Sequence, residues 1–158
     1  MLNPNLNLGG TLNLALVGLL AGTTTTYNVA NAASCVINGK FTTVLGSGAT
    51  TAAPTVDINT GLAFVTVADD KGCVLVAGVD AGGDLRVAQG EIKDLEEGTL
   101  VFKIAPPFPA IPDDFCPIGY VIVKNDSGSD YTHSSTSWTA IDVTFVDVSI
   151  LPSRPQED

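Results

Sequence analysis

The fold of this chain is decided by residues 69–84, which read DDKGCVLVAGVDAGGD. An apolar run, residues 73–79, lies between two clusters rich in Asp and Gly, and its β-branched residues favour a strand. The flanking clusters favour tight turns, because Asp hydrogen-bonds its own backbone and Gly accepts a positive φ. Residues 85–92 continue as the next strand. Short strands joined by short turns predict an antiparallel sheet.

The same pattern continues on both sides of this stretch. Asn38-Gly39 separates residues 35–37 from residues 40–44, and Asn-Gly between strand-like runs is a strong hairpin signal. Further predicted elements are strands over residues 62–68, 99–104, 119–124 and 138–151, and one helical turn over residues 93–98. We therefore predict an all-β fold, an antiparallel β-sandwich or barrel-like domain. Strands and helices do not alternate, which argues against a nucleotide-binding sheet.

Residues 105–117 interrupt the strand pattern with five prolines. Proline cannot donate a hydrogen bond to a sheet, so this stretch is predicted to cross the sheet as an ordered, extended segment. Its apolar residues Phe108, Ile111 and Phe115 are expected to anchor the crossing to the sheet.

The N-terminal segment lacks charge, since Lys40 is the first charged side chain. Residues 1–33 are rich in Asn, Leu, Thr, Gly and Ala, a composition with little capacity to form a core. We predict that they form an extended arm along the surface of another protein. The predicted organisation is an arm over residues 1–33, a β domain over residues 34–151 and a polar tail over residues 152–158.

The charge balance narrows the choice of partners. Seven Lys and Arg residues oppose 17 Asp and Glu residues, a net charge of −10. Such a surface repels phosphate backbones and anionic membranes, so we expect no nucleic acid and no membrane as partner. The acidic residues are expected to keep a Val-rich β protein soluble; a dedicated cation-binding surface is the alternative. The apolar run 12–21 is too short to span a bilayer, and no Lys or Arg precedes it as in a secretory signal.

The three cysteines, Cys35, Cys73 and Cys116, are far apart and have apolar neighbours. Their spacing does not match a zinc site, and an odd number cannot pair completely within one chain. We predict three reduced, buried thiols, as expected for assembly in a reducing cytoplasm.

Catalytic residues are hard to assemble from this sequence. His133 is the single histidine, and Ser134 and Asp130 are close loop neighbours without the context of a hydrolase nucleophile. Asp113-Asp114 follows a proline and reads as a turn rather than as an acid–base pair. The sequence therefore predicts no enzyme, no cofactor and no catalytic residue.

Two oxygen-rich loops resemble parts of calcium sites. Asp80 and Asp84 flank Gly82-Gly83, and residues 125–130 read NDSGSD. Calcium requires six to eight oxygen ligands, and neither loop supplies a full ligand set. We interpret the first as a plain turn and the second as a solvated loop, and predict no metal.

Three stretches carry a family resemblance: residues 61–67 (GLAFVTV), 78–90 (GVDAGGDLRVAQG) and 107–120 (PFPAIPDDFCPIGY). Together they resemble small virion structural proteins of tailed bacteriophages, over roughly residues 34–150. That resemblance implies a structural role in the virion and carries no catalytic motif. The chain is too short, and lacks the repeats, for a long fibre, and it is smaller than expected of a major shell subunit.

An arm joined to a compact β domain favours a capsid cement or decoration protein, which binds the outside of the capsid and bridges shell subunits. The expected partners are the major capsid protein and further copies of the chain, with a trimer favoured at the local three-fold points of the shell. The expected location is the capsid exterior of a virion assembled in the host cytoplasm. The candidate partner-binding residues are Leu12, Leu14, Leu16, Leu20, Phe108 and Ile111. Leu12, Leu14, Leu16 and Leu20 are expected to line one face of a strand, although Gly18 interrupts the series.

Two other functions stay open at this point. The first is a head or tail fibre subunit or a receptor-binding module, which a few copies per particle would favour over hundreds. The second is a secreted adhesin or a carbohydrate-binding domain. A sugar-binding module is expected to cluster exposed aromatic residues, whereas those of this chain are few and scattered.

Overall fold

A computed structural model of the chain describes residues 11–156. The regular elements in that range are β-strands and one 3-10 turn, Trp138–Ala140. They form three antiparallel sheets that stack like a sandwich and do not close into a barrel. The predicted all-β, antiparallel fold is confirmed. Among the described residues, no helix is long and apolar enough to cross a membrane.

Two small sheets are built from the first six strands. These strands are β1 (Leu12–Asn13), β2 (Leu19–Ala21), β3 (Thr26–Val29), β4 (Ala33–Ile37), β5 (Lys40–Leu45) and β6 (Thr50–Ala52). The first sheet has the order β1-β4-β5 and the second the order β2-β3-β6. Asn38 and Gly39 join β4 to β5 with φ angles of 51° and 77°, so the predicted two-residue hairpin is confirmed.

The third sheet is the largest and contains the stretch that decides the fold. Its strands are β7 (Lys71–Asp80), β8 (Leu85–Gln89), β9 (Lys93–Asp94), β10 (Phe115–Asn125) and β11 (Asp142–Asp147). Their order is β11-β10-β7-β8, with β9 beside β7. The long pairing of β7 with β10 joins residues far apart in the chain, and a register shift between Pro117 and Gly119 bends it.

This central sheet is buried on both faces. One face packs Leu75 and Val121 against side chains of the two small sheets, such as Cys35 of the first and Tyr27 of the second. The opposite face packs Val76, Tyr120 and Ile122 beneath irregular segments of the chain. Alternate residues of one strand therefore enter two separate cores, which explains why β7 reads as continuously apolar instead of alternating.

The proline-rich crossing covers the second face, as predicted. Residues 105–114 contain no regular strand. Phe108 and Ile111 are half-buried against the sheet, and the Phe108 ring meets the Tyr120 ring edge-on, with 5.0 Å between centroids. Phe115 is fully buried at the start of β10. The residues predicted to anchor the crossing therefore do so.

The predicted arm is corrected in its described part. Residues 11–33 contribute strands to both small sheets, and Val17, Leu19, Tyr27 and Val29 are buried in the main core. Composition suggested that this segment cannot form a core alone, but here it completes a core whose other half comes from β7 and β10. Residues 1–10 of the predicted arm lie outside the described residues, as do residues 157–158 of the predicted tail.

The strand predicted over residues 62–68 is wrong. Those residues make only isolated bridges, Val56 to Ala63 and Val67 to Tyr131. The side-chain amide of Gln89 accepts a hydrogen bond from the N–H of Val65 at 2.7 Å and donates one to its C=O at 2.8 Å. The Gln89 amide thus bonds the N–H and C=O groups of Val65, which would otherwise be available to a neighbouring strand.

Three other boundaries differ from the prediction. The helical turn predicted over residues 93–98 is wrong, because Lys93 and Asp94 pair with β7. Residues 99–104 contain one bridge, Leu95 to Phe102, instead of a strand. The last strand is limited to β11, since Ser137 caps the 3-10 turn before it by accepting a hydrogen bond from the N–H of Thr139. All three cysteines are free and buried, as predicted.

The role of the N-terminal segment in folding is testable at Tyr27. Tyr27→Ala is expected to lower the free energy of unfolding by about 3–5 kcal/mol, as for other large aromatic residues removed from a core. Leu20→Ala is the matched control, because Leu20 is exposed on the neighbouring strand. Its effect is expected to stay within about 0.5 kcal/mol. Urea denaturation measures both, and equal stability of Tyr27→Ala and wild type would restore the arm interpretation.

Candidate interaction surface

Charge is divided sharply along the chain. All 17 acidic residues follow Val56, whereas Lys40 is the single charged side chain before it. The strands β1–β6 all end before Val56, so both small sheets are free of acidic side chains. The acid-free layer formed by these two sheets covers one face of the central sheet, while the remaining chain carries the negative charge.

The outer face of the first sheet is apolar. Leu12 pairs with Val36, and Val36 pairs with Phe41, so these three side chains form one row across β1, β4 and β5. Leu14 follows one step along, where its N–H donates to the C=O of Ser34. Leu12, Leu14 and Phe41 are 38%, 48% and 61% exposed. We call Leu12, Leu14, Val36 and Phe41 the first-sheet face.

The opposite side of the same strands is part of the core. Asn13 and Cys35 form the neighbouring cross-strand pair, and both are buried. The side chain of Asn13 donates a hydrogen bond to the C=O of Val148 at 2.9 Å. The first sheet is thus fixed from beneath, and its exposed apolar residues are held in place by residues that alternate with them.

The four predicted leucines do not share one face. Gly18, with a φ of 66°, ends the first segment and turns the chain towards the second sheet. Leu12 and Leu14 lie on the first-sheet face, whereas Leu20 is exposed on the outer side of β2, opposite Asn28. Leu16 borders a groove formed with Val146 and residues 148–150, including the exposed Ile150. The prediction of a single stripe is therefore wrong, although all four leucines are exposed.

Phe108 and Ile111, the other two predicted partner-binding residues, are already engaged within the fold. Both are half-buried and pack over the second core. Ile111 also lines a surface groove with Thr11, Pro112 and Phe115. These two residues hold the proline-rich crossing against the sheet and leave little apolar surface for a partner.

Phe41 is the residue that sequence reasoning missed. It lies two residues after the Asn-Gly turn. Because successive side chains of a strand point to opposite faces, this distance from the turn places Phe41 on the same face of the hairpin as its partner Val36. The sequence did not show which face is covered, because the covering residues come from distant strands. Val101 and Ile104, before the proline-rich crossing, are also exposed and were also missed; we call these two residues the second exposed apolar site.

His133 is buried in an aromatic cluster. Its two ring nitrogens lie 3.4 Å from the hydroxyls of Tyr27 and Tyr131, and the Phe64 ring meets it edge-on with 4.5 Å between centroids. Trp138 completes the cluster and donates its indole N–H to the C=O of Thr26. The hydrogen-bond partners of His133 are therefore tyrosines instead of the neighbouring Ser134 and Asp130.

Burial shifts the pKa values in this cluster away from the charged forms. Desolvation lowers the pKa of His133 to about 4 and raises the pKa of Cys73 to about 12. The pKa values of Tyr27 and Tyr131 are also raised, chiefly by burial. The groups are thus neutral at physiological pH and join the N-terminal layer to the polar loop after β10.

The acidic loops satisfy their own oxygens. One carboxylate oxygen of Asp80 accepts the N–H groups of Gly82 and Asp84, and the other accepts the Nε–H of Arg86 at 2.8 Å. This arrangement lowers the pKa of Asp80: burial opposes it, but the hydrogen bond to Arg86 and those to the backbone prevail.

The second oxygen-rich loop is organised by a buried amide. The side chain of Asn125 donates to the C=O groups of Val67 and Ser129 and accepts from Ser127. Asp113 and Asp114 are exposed at the turn before β10. Within residues 11–156, no group of three or more His, Cys, Asp or Glu residues is arranged to hold a metal ion.

Comparison of the chain with known protein families, with curated proteins and with solved structures found no match.

The buried state of His133 predicts a pH dependence of stability. The unfolded chain binds a proton near pH 6.5 and the folded chain only near pH 4, so the free energy of unfolding is expected to fall as the pH drops through this interval. The total loss is about 3 kcal/mol, and above pH 6.5 the histidine has no effect. His133→Gln, which stays neutral, should remove this dependence. Denaturant unfolding of both proteins between pH 7 and pH 4 measures the difference, and parallel curves would contradict it.

Proposed function

We propose that this chain is a structural protein of a tailed-phage virion that binds the outside of the capsid and stabilises it by bridging shell subunits. The resemblance of residues 61–67, 78–90 and 107–120 to small virion proteins supports the virion assignment. The observation that carries the binding role is the exposed, apolar first-sheet face on an acid-free layer of an otherwise acidic protein.

The charge division fits a protein with one side for attachment. Contiguous exposed apolar residues on a soluble protein mark contact with another macromolecule. The core of a protein interface is depleted in charged residues, as the acid-free layer is. The acidic remainder of the molecule stays in solvent and limits unspecific association with other anionic surfaces. The resemblance implies the major capsid protein as the partner, and the first-sheet face implies that its contact surface is apolar.

Stabilisation of the shell then follows from mass action. A protein that binds the assembled lattice and not the separate subunits stabilises the lattice by an amount set by its concentration relative to Kd. At about 100 times Kd, this contribution is about 2.7 kcal/mol for each site. Bridging adds to the effect, because one bound copy then holds two shell subunits together. The mode of action is binding without turnover.

The second exposed apolar site suits contact between copies of the chain. Val101 and Ile104 are exposed just before the proline-rich crossing, and Val101 lines a groove with Ile122, which belongs to the second core. Copies that attach through the first-sheet face keep this site available for a neighbour. A trimer at local three-fold points of the capsid exterior is the favoured arrangement, by analogy with icosahedral shells. A particle map with single, separated copies would contradict it.

Thermal release of the genome tests the stabilising role. Particles of the encoding phage that lack this protein are expected to release their DNA at a lower temperature than complete particles. Adding the purified protein back should restore the release temperature. Equal release temperatures with and without the protein would contradict the cement function and favour the fibre alternative.

A charge placed on the first-sheet face tests the attachment surface. Phe41→Asp is expected to weaken binding to undecorated shells at least tenfold, about 1.4 kcal/mol, because a carboxylate must lose its hydration in an apolar contact. Leu62→Asp is the matched control, since Leu62 is 69% exposed against 61% for Phe41 and lies outside the acid-free layer. Co-sedimentation with shells measures binding, and circular dichroism checks the fold. Equal weakening by both variants would show that added negative charge, and not this face, is responsible.

A further inference from the structure

β5 presents an open edge of the first sheet. In the hairpin, the flanking pair Ile37–Lys40 and the pair Cys35–Thr42 exchange hydrogen bonds between β4 and β5. Phe41 and Thr43 belong to the alternate pairs, so their N–H and C=O groups point away from β4. The same alternation on β4 directs the C=O of Ser34 towards β1, where it accepts from Leu14.

No described segment uses that edge. Among the described residues, no backbone hydrogen bond joins residues 40–43 to any part of the chain other than β4. The outer strands of the central sheet do make such contacts: Ile58 donates to the C=O of Val87 along β8, and the N–H of Leu19 donates to the side-chain carboxylate of Asp147 at the end of β11. Open edges are normally blocked or covered, so an uncovered edge with strand-forming residues is a place for an added strand.

We infer that the edge of β5 accepts an extended segment of a shell subunit as an added strand, which joins the first sheet to the capsid. This inference rests on the proposed function and identifies the form of the contact. The added strand would lie beside Phe41, at the border of the first-sheet face. The edge and the face therefore form one continuous surface, on which a single partner is held by backbone hydrogen bonds and by apolar contact.

The size of the edge favours a shell subunit over a second copy of the chain. The open edge begins after Lys40, next to the turn. It ends where the pairing of β5 with β4 shifts register, opposite Ala33 and Ser34. Phe41 and Thr43 each offer one N–H and one C=O, and a contact this small is marginal in water. It becomes effective when the partner is also bound through the first-sheet face and is already ordered in a lattice.

The charges define the chemistry of the added segment. The two small sheets carry no acidic side chain, and Lys40 lies at one end of β5. The whole molecule has a charge of −10, which repels an acidic segment at longer range. The net charge disfavours an acidic segment, and Lys40 disfavours a basic residue at the turn end of β5. The segment is therefore uncharged, and its side chain beside Phe41 is apolar.

Proline at position 43 tests the added strand. Thr43→Pro removes an N–H that points away from β4, so the hairpin keeps its own hydrogen bonds while the edge loses a donor. Binding to undecorated shells from a deletion mutant of the encoding phage is expected to weaken at least tenfold. Thr43→Val is the matched control: it changes the same side chain, keeps the N–H and should bind as wild type. Equal binding of the proline and valine variants would overturn the added strand while leaving the proposed function intact.

Hydrogen exchange of the wild type provides a second measurement that needs no variant to fold. The amides of Phe41 and Thr43 should exchange at least tenfold more slowly on the shell than in the free protein, while that of Thr42 stays protected in both. Unchanged exchange of Phe41 and Thr43 on the shell would overturn the inference. If these amides are protected in the free protein, and their protection increases with protein concentration, the occupant is a second copy of the chain. That result would also overturn the inference. Failure of the wild type to bind shells would overturn the proposed function together with the inference.

Discussion

The structure depends on covering both faces of the paired strands β7 and β10. Each fully buried Val, Leu or Ile contributes about 1.5–3 kcal/mol when removed from water, and these strands carry such residues on both sides. If β7 and β10 packed against other elements on one face only, the apolar side chains of the other face would remain exposed to solvent. The two small sheets cover one face and the proline-rich crossing covers the other. Residues 11–33 therefore help to cover one of these faces, although their composition has little capacity to form a core alone.

Local signals were sufficient for some elements and insufficient for others. The Asn38-Gly39 hairpin and the strand β7 were predicted, because turn geometry and β-branched runs act within a few residues. The core role of Tyr27 was not predicted, because its contact partners His133 and Trp138 are more than 100 residues away in the chain. The same limit explains residues 62–68: a side-chain amide from Gln89, and not another strand, satisfies Val65.

For the candidate surface, the sequence predicted exposure better than it predicted position. Leu12 and Leu14 flank the buried Asn13, and Leu20 follows the buried Leu19, as period-two alternation predicts, but Ala15 between Leu14 and Leu16 is exposed and breaks the pattern. Alternation alone does not say whether the leucines stay together in space. Gly18, in the left-handed region, directs the chain from the first sheet to the second and divides the series. Phe108 and Ile111 were predicted both to anchor the crossing and to bind a partner, and the structure shows them packed over the second core as anchors.

A folded layer has a physical advantage over an extended arm as a binding surface. A segment that orders only on binding must lose conformational entropy at that moment, which subtracts from its affinity. In the first sheet this loss occurs during folding, because Asn13 and Cys35 fix in the core the strands that present Leu12 and Phe41 to solvent. The same strands thus hold the core and display the contact residues, on alternate side chains. The binding energy of the exposed residues, such as Leu12 and Phe41, is then available for attachment. A substitution of one of these residues leaves the core intact.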